Sequence, residues 1–154
     1  MIKNLNILFA SLVISEYNMK LLHWGVTGKD FDVCHNTASE YEEKFGEFLD
    51  EVAEIILMHH DTVPSLIECI DILKESEDEY LMLGVNTGSI EFDYKHFFEY
   101  VDMMLFRMIR IYEAIAMDKG TEYQVEDCVM SKLHEQQYWM SKEMLYKNRR
   151  RRNN

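Results

Sequence analysis

Two histidines and two carboxylates stand out as groups that could do chemistry together. His23 and His35 lie twelve positions apart in "LLHWGVTGKDFDVCH", on either side of a turn that contains Gly28. Asp50 and Glu54 follow at i and i+4, so on a helix they share a face. Imidazole with carboxylate suits Fe(II) and leaves coordination positions open for an oxidant. A structural zinc site would draw on cysteine or a closed tetrahedral set. Taken singly, each histidine reads as a satisfied or exposed helix residue, and the Asp/Glu pair as a solvated face. The joint pattern is what favours a metal site over these plainer readings.

The elements that must position these groups are helices. Leu5, Leu8, Leu12, Met19 and Leu22 recur at helical spacing, with Phe9 and Val13 widening the stripe. Gly28 stops this helix and Asp30 can cap the next. The second helix carries Tyr41, Phe45, Phe48, Val52 and Ile55 on one face, flanked by Leu49 and Ile56, and runs to about His60. Thr62, with Pro64 in the first turn, opens a short third segment. A connection with two glycines leads to a long helix capped by Ser89, with Phe97, Val101, Met104, Leu105, Met108 and Tyr112 on its core face and Gly120 at its end. Thr121 and Gln124 form a capping box for a last helix carrying Val125, Cys128, Val129, Leu133 and Met140. The expected fold is all-α, a ferritin-like four-helix bundle (residues 1–146) with a short extra helix in the long connection between the second and third long helices.

This layout constrains the site. In an antiparallel hairpin, His23 near the end of the first helix and His35 near the start of the second lie at the same end of the pair. Roughly 25 Å of helix, at 1.5 Å per residue, separates His35 from the centre of the Asp50/Glu54 pair. One subunit cannot bring all four groups onto one metal. Two subunits can, when their second helices pack antiparallel about a two-fold axis, so that dimerisation is a condition of function.

The bulk numbers bound the classes of function. With 154 residues, one domain is expected. The hydrophobic content of 47% is that of a globular chain able to bury a sizeable core. The formal charge is −12, which disfavours nucleic-acid binding by the body and favours cations as ligands. No apolar run is long enough for a membrane span, and the apolar start, broken by Asn6, reads as helix rather than as a signal peptide. Cys34, Cys69 and Cys128 are widely spaced and form no CxxC pair, which fits reduced, buried thiols in a cytoplasmic protein.

The residues from Leu5 to His35, followed by "DEVAEII", resemble the Dps family of mini-ferritins. The family pattern is a helix ending in "HW.V.G", an aromatic, a second histidine twelve residues after the first, then "DE.AE". His23, Trp24, Val26, Gly28, Phe31, His35 and Asp50 through Glu54 fit it. The end "HEQQYWM" resembles the family's last helix more loosely. The resemblance implies a hollow dodecamer built from two-fold dimers that oxidises Fe(II), preferably with hydrogen peroxide, and stores ferric iron, protecting DNA from oxidative damage. It implies His23 and His35 as ligands from one chain and Asp50 and Glu54 from the other, with Glu54 the principal carboxylate. It also implies that Trp24 packs near the centre. One position departs. The acidic residue usual one turn after the second histidine is Ser39 here, and Glu40 points about 100° away. The site is thus short of one negative charge, and a second iron position is in doubt.

Other candidates have plainer readings. His59, His60 and Asp61 cluster at a helix end, where histidines meet the partial negative charge of the terminus. His96 reads as packing. His134 lacks a glutamate three residues earlier, where Ser131 stands. The 11 methionines read as core filler. Residues 147–154 form a basic tail holding five of the 16 basic residues, Lys147, Arg149, Arg150, Arg151 and Arg152, against an otherwise acidic body. This tail is the candidate DNA contact, strengthened by multivalency in an oligomer and associated with the nucleoid if it acts. The alternative is a structural or DNA-binding bundle, of the kind a phage could reuse, with a degenerate metal site. Ser39 and the tail both fit that.

Overall fold

The computed structural model describes residues 2–76 and 94–116, with 134, 135, 137, 138 and 142 beyond them. The described residues contain four helices: α1 (Ile2–Gly25), α2 (Phe31–His59), α3 (Leu66–Glu75) and α4 (Tyr94–Ala116). Among the described residues there is no strand. The isolated later residues are helical, in line with a last helix after α4. Ser89, Gly120, Thr121, Gln124 and the core positions expected for that last helix, Cys128 among them, lie outside the described residues. So does the division between bundle and tail.

The α1–α2 turn follows from one residue. Gly28 has φ 99°, a left-handed conformation that costs a residue with a Cβ and costs glycine little. Val26 N–H still bonds Leu22 O, so helical bonding persists to the edge of the turn. Asp30 takes the N-cap position of α2, as expected, but its side chain makes no capping bond. The backbone closes the turn instead, through Phe31 N–H to Gly28 O at 3.2 Å and Cys34 N–H to Asp30 O at 3.1 Å.

α2 buries the face its spacing marks out: Tyr41, Phe45, Phe48, Val52, Ile55 and Ile56, together with Cys34 and Ala38. α4 buries Phe97, Phe98, Val101, Met104, Leu105, Met108 and Ile109. Each fully buried large side chain contributes about 2 kcal/mol of transfer free energy. α1 differs from the expected stripe. Residues Ile7, Leu8, Phe9, Ala10, Ser11 and Leu12 are consecutive and all buried, so its circumference is covered over that stretch. The reason is topological, since α1 packs against α2, α3 and α4. A hydrogen bond between Asn18 and Tyr100 also ties α1 to α4.

The start of α3 corrects the sequence reading. Thr62 and Pro64 lie outside the helix, and Ser65 is the N-cap. Glu68 N–H donates to the Ser65 hydroxyl, and Ser65 N–H donates to the Glu68 carboxylate, both at 3.3 Å. The S-x-x-E pattern that permits this is in the sequence, and two reciprocal bonds outweigh a proline that only pre-sets φ. α3 buries Cys69 and Leu73.

Two buried groups make stability fall on the alkaline side. Burial pushes the Cys69 thiol up to about 11, with the Glu68 charge adding to it. Burial likewise pushes the Tyr100 phenol up to about 12, against a lowering by Asn18. Both groups keep their protons in the folded chain where the unfolded chain has lost them, so the native state binds more protons and stability falls as pH rises. The stability is fully present below about pH 9 and is lost progressively through about pH 12. Urea-unfolding midpoints should decline over this window, and Cys69→Ala should remove the earlier part of the decline. A level midpoint from neutral pH to about pH 11 would contradict it.

Candidate metal centre

The hairpin brings His23 and His35 together and fixes each by the other's backbone. His35 Nδ1 donates to His23 O at 2.7 Å, and His23 Nδ1 donates to His35 O at 3.0 Å. The rings stack with centroids 3.9 Å apart and 21° between planes. Phe31 stacks on the far side of His35 at 4.9 Å. A carbonyl oxygen only accepts, so both Nδ1 atoms carry the proton. In the neutral ring the lone pair then lies on Nε2. A ring held through one N–H by a carbonyl, with the other nitrogen left to bind, is the usual state of a metal-ligating histidine. Both side chains are partly exposed, so the free nitrogens are within reach of an ion from outside.

Trp24, next to His23, is 66% exposed in the single chain. Ser39 and Glu40 are exposed on α2. Asp50 and Glu54 are exposed further along the same helix. Among the described residues, no three His, Cys, Asp or Glu side chains gather closely enough to hold a metal ion. One chain therefore presents the imidazole pair and the carboxylate pair as two separate candidate half-sites on α2 and its hairpin partner.

Between the half-sites runs a charged seam that the sequence reading did not single out. Lys20 Nζ donates to Glu42 Oε1 at 2.7 Å across the hairpin, and this bond raises the lysine's pKa. Glu16 on α1 leans over Gly46 on α2, with its Oε1 3.4 Å from where a Cβ of residue 46 would sit. Burial pushes the Glu16 carboxyl up; the Lys20 charge opposes this, and the charges of Glu42 and Asp50 add to it. Pairs taken down α1 match residues taken up α2: His23 with His35, Lys20 with Glu42, Glu16 with Gly46. The two helices are thus antiparallel and in fixed register. The helical spacing of Glu16, Lys20 and His23 was readable, but the register that pairs them with α2 was not.

His59, His60 and Asp61 are exposed at the end of α2, and His60 N–H bonds Ile56 O at 2.8 Å. His134 is exposed. Cys34 and Cys69 are buried thiols outside any disulfide, as expected for small packed cysteines. Nothing can be placed for the His96 side chain or for residues 147–152, which lie outside the described residues. No described helix is long and apolar enough to cross a membrane.

The fold is that of the ferritin-like bundles. Over 92% of its length the chain superposes on the crystal structure of a Dps protein from Vibrio cholerae O1, described as a member of a broad superfamily of ferritin-like diiron-carboxylate proteins, with a TM-score of 0.71, 17% identity and 86% of that chain covered. Similar solved structures include CAIP from Helicobacter cinaedi (TM-score 0.71, 18% identity, 92% of this chain and 96% of that one) and Dps from Staphylococcus aureus (0.69, 19%, 92% and 93%). These likenesses show the fold that the resemblance of the histidine and carboxylate motifs to Dps led one to expect. No family model matches the chain, and no curated protein matches it in sequence.

The reciprocal clasp predicts a tautomer. Long-range proton–nitrogen NMR on the ¹⁵N-histidine-labelled chain, free of metal, should show His23 and His35 both as the Nδ1–H form. An Nε2–H form at either position would contradict the clasp.

Proposed function

We propose that this chain binds Fe(II) as substrate and oxidises it at centres shared between two copies of itself. His23 and His35 supply their Nε2 atoms from one copy, and Asp50 and Glu54 supply carboxylates from the other. The observation that carries this reading is the clasp. It aligns two imidazoles, protonates both on Nδ1 and leaves both Nε2 atoms as donors. The ligand types suit Fe(II). Two Fe(II) ions together give two electrons to one hydrogen peroxide, which with two protons becomes two waters, and dioxygen is the alternative oxidant. The histidines and carboxylates hold the ions, and no acid–base triad is required. Removing Fe(II) and peroxide together limits hydroxyl-radical formation, which protects DNA. Ferric product is stored in a hollow oligomer, for which the Dps likeness suggests twelve subunits.

The surface supports self-association. Val13, Ile14, Tyr17, Leu66 and Ile70, with Glu16 and Lys20 beside them, line an open, largely apolar groove of about 490 Å³ between α1 and α3. Leu66 and Ile67 are more than half exposed beside it. Contiguous apolar surface of this kind marks interaction sites in soluble proteins.

DNA contact belongs to the basic residues Lys147, Arg149, Arg150, Arg151 and Arg152, because the rest of the chain is strongly acidic. Ser39 favours a second reading, in which the centre is degenerate and the bundle serves structure or DNA binding alone.

Fe(II) oxidation by peroxide, followed optically on metal-free protein, separates the two. Oxidation should outpace the protein-free control and leave soluble ferric product. His35→Ala and Glu54→Gln should each lower the rate by about a hundredfold, in the range that loss of a binding or charge-stabilising group produces. A rate equal to the control in the unaltered chain would leave the degenerate reading. Removal of Arg149 to Arg152 should abolish a DNA retardation that weakens steeply with salt. Full affinity after that deletion would rule out the tail.

A further inference from the structure

We infer that Glu16 is the third carboxylate of the proposed centre, supplied by the same chain as Asp50 and Glu54 and standing in for the acid that Ser39 does not provide. The inference rests on the inter-subunit centre proposed above.

Placement comes first. Gly46 precedes Asp50 by one turn of α2, so the two share a face. The absent side chain of Gly46 leaves a hollow on that face, and the Glu16 carboxylate occupies it, 3.4 Å from the position a Cβ would take. Glu16 therefore projects from α1 onto the face of α2 that carries Asp50. It is the face that must meet the partner's histidines. The carboxylate half-site is built from two helices rather than one.

Availability comes second. Lys20 lies one turn from Glu16 on α1 and acts on it electrostatically, yet its ammonium bonds Glu42 across the hairpin. Among the described residues, no ion pair within 4.0 Å and no hydrogen bond engages the Glu16 carboxylate. Glu42 thus neutralises Lys20 and leaves the negative charge of Glu16 to another cation. A half-buried carboxylate lacking a direct partner is costly until a cation reaches it.

Charge comes third. With neutral imidazoles, Asp50 and Glu54 bring two negative charges to a centre that must hold two divalent ions for a two-electron oxidant. Ser39 brings none. Glu16 raises the total to three, and its position beside Asp50 makes it a ligand of the second ion rather than of the one held by both histidines.

Anaerobic Co(II) titration of the full chain, read by visible absorption, tests this on four proteins: unaltered, Glu16→Gln, Glu16→Gln with Ser39→Asp, and His35→Ala. Glu16→Gln should weaken binding of the second Co(II) about tenfold and leave the first unchanged, with the oligomer intact by sedimentation. Ser39→Asp in that background should restore the second. A Glu16→Gln titration that overlays the unaltered chain, while His35→Ala loses metal, overturns the role of Glu16 and leaves the centre standing. A second site not restored by Ser39→Asp makes Glu16 structural and also overturns it. If the unaltered chain takes no Co(II), or His35→Ala binds as it does, the centre falls and Glu16 with it.

Discussion

The reciprocal bond between the two histidines and each other's backbone is the constraint from which the rest of this arrangement follows. The His23 carbonyl lies in the last turn of α1, where no helical N–H follows to engage it, and the His35 carbonyl, inside α2, has a second lone pair with which to accept the imidazole. His35 lies in the first turns of α2 and His23 in the last turns of α1, and both ring nitrogens reach across. The clasp sets the register of the hairpin. Once His23 faces His35, the Lys20–Glu42 ion pair and the Glu16–Gly46 contact fall into place turn by turn.

That register divides the labour along α2. The buried face, from Tyr41 to Ile56, holds the bundle together. The face toward the charged seam carries Glu42, Gly46 and Asp50. Glu54, one turn beyond Asp50, continues that face and is exposed with it. A single amphipathic helix can serve core and site at once because the core stripe uses only part of its circumference. α1 has less freedom, since three helices pack on it and its middle is covered all round. The polar groups it offers to the seam, Glu16, Lys20 and His23, come from its second half, beyond the consecutive buried run.

Much of this was legible in the sequence, and the boundary of legibility is physical. Helix periodicity reports which face of an element is apolar, so most buried residues of α2 and α4 could be named in advance, though Ala38, Phe98 and Ile109 were not. Gly28 announced the turn because only glycine is at ease at φ 99°. The histidine pair was legible as two groups at one end of a hairpin. What could not be read was anything that depends on one helix sliding against another: the tautomer of the rings, the pairing of Lys20 with Glu42, the hollow over Gly46. These depend on a register of a few ångströms that no periodicity encodes. The cap of α3 is a different kind of miss. Ser65 and Glu68 were in plain view, and the proline beside them drew the reading three residues too early.

The separation of the half-sites has a consequence for how such a centre would be controlled. A site complete within one chain is present whenever that chain is folded. Here the imidazoles and carboxylates lie at opposite ends of α2, and assembly would create the site. Metal and partner would then be linked: whatever binds only the assembled form stabilises assembly by mass action. The Lys20–Glu42 pair bears on the same balance. It lies between the two half-sites and cancels two charges that would otherwise add to the electrostatics of the dimer. Without Glu42, the Lys20 ammonium would be left to Glu16, and the carboxylate half-site would lose the very charge that Ser39 already fails to supply. In the proposed centre, an acid at residue 42 is therefore what would allow a lysine to stand so close to the metal without competing for its ligands.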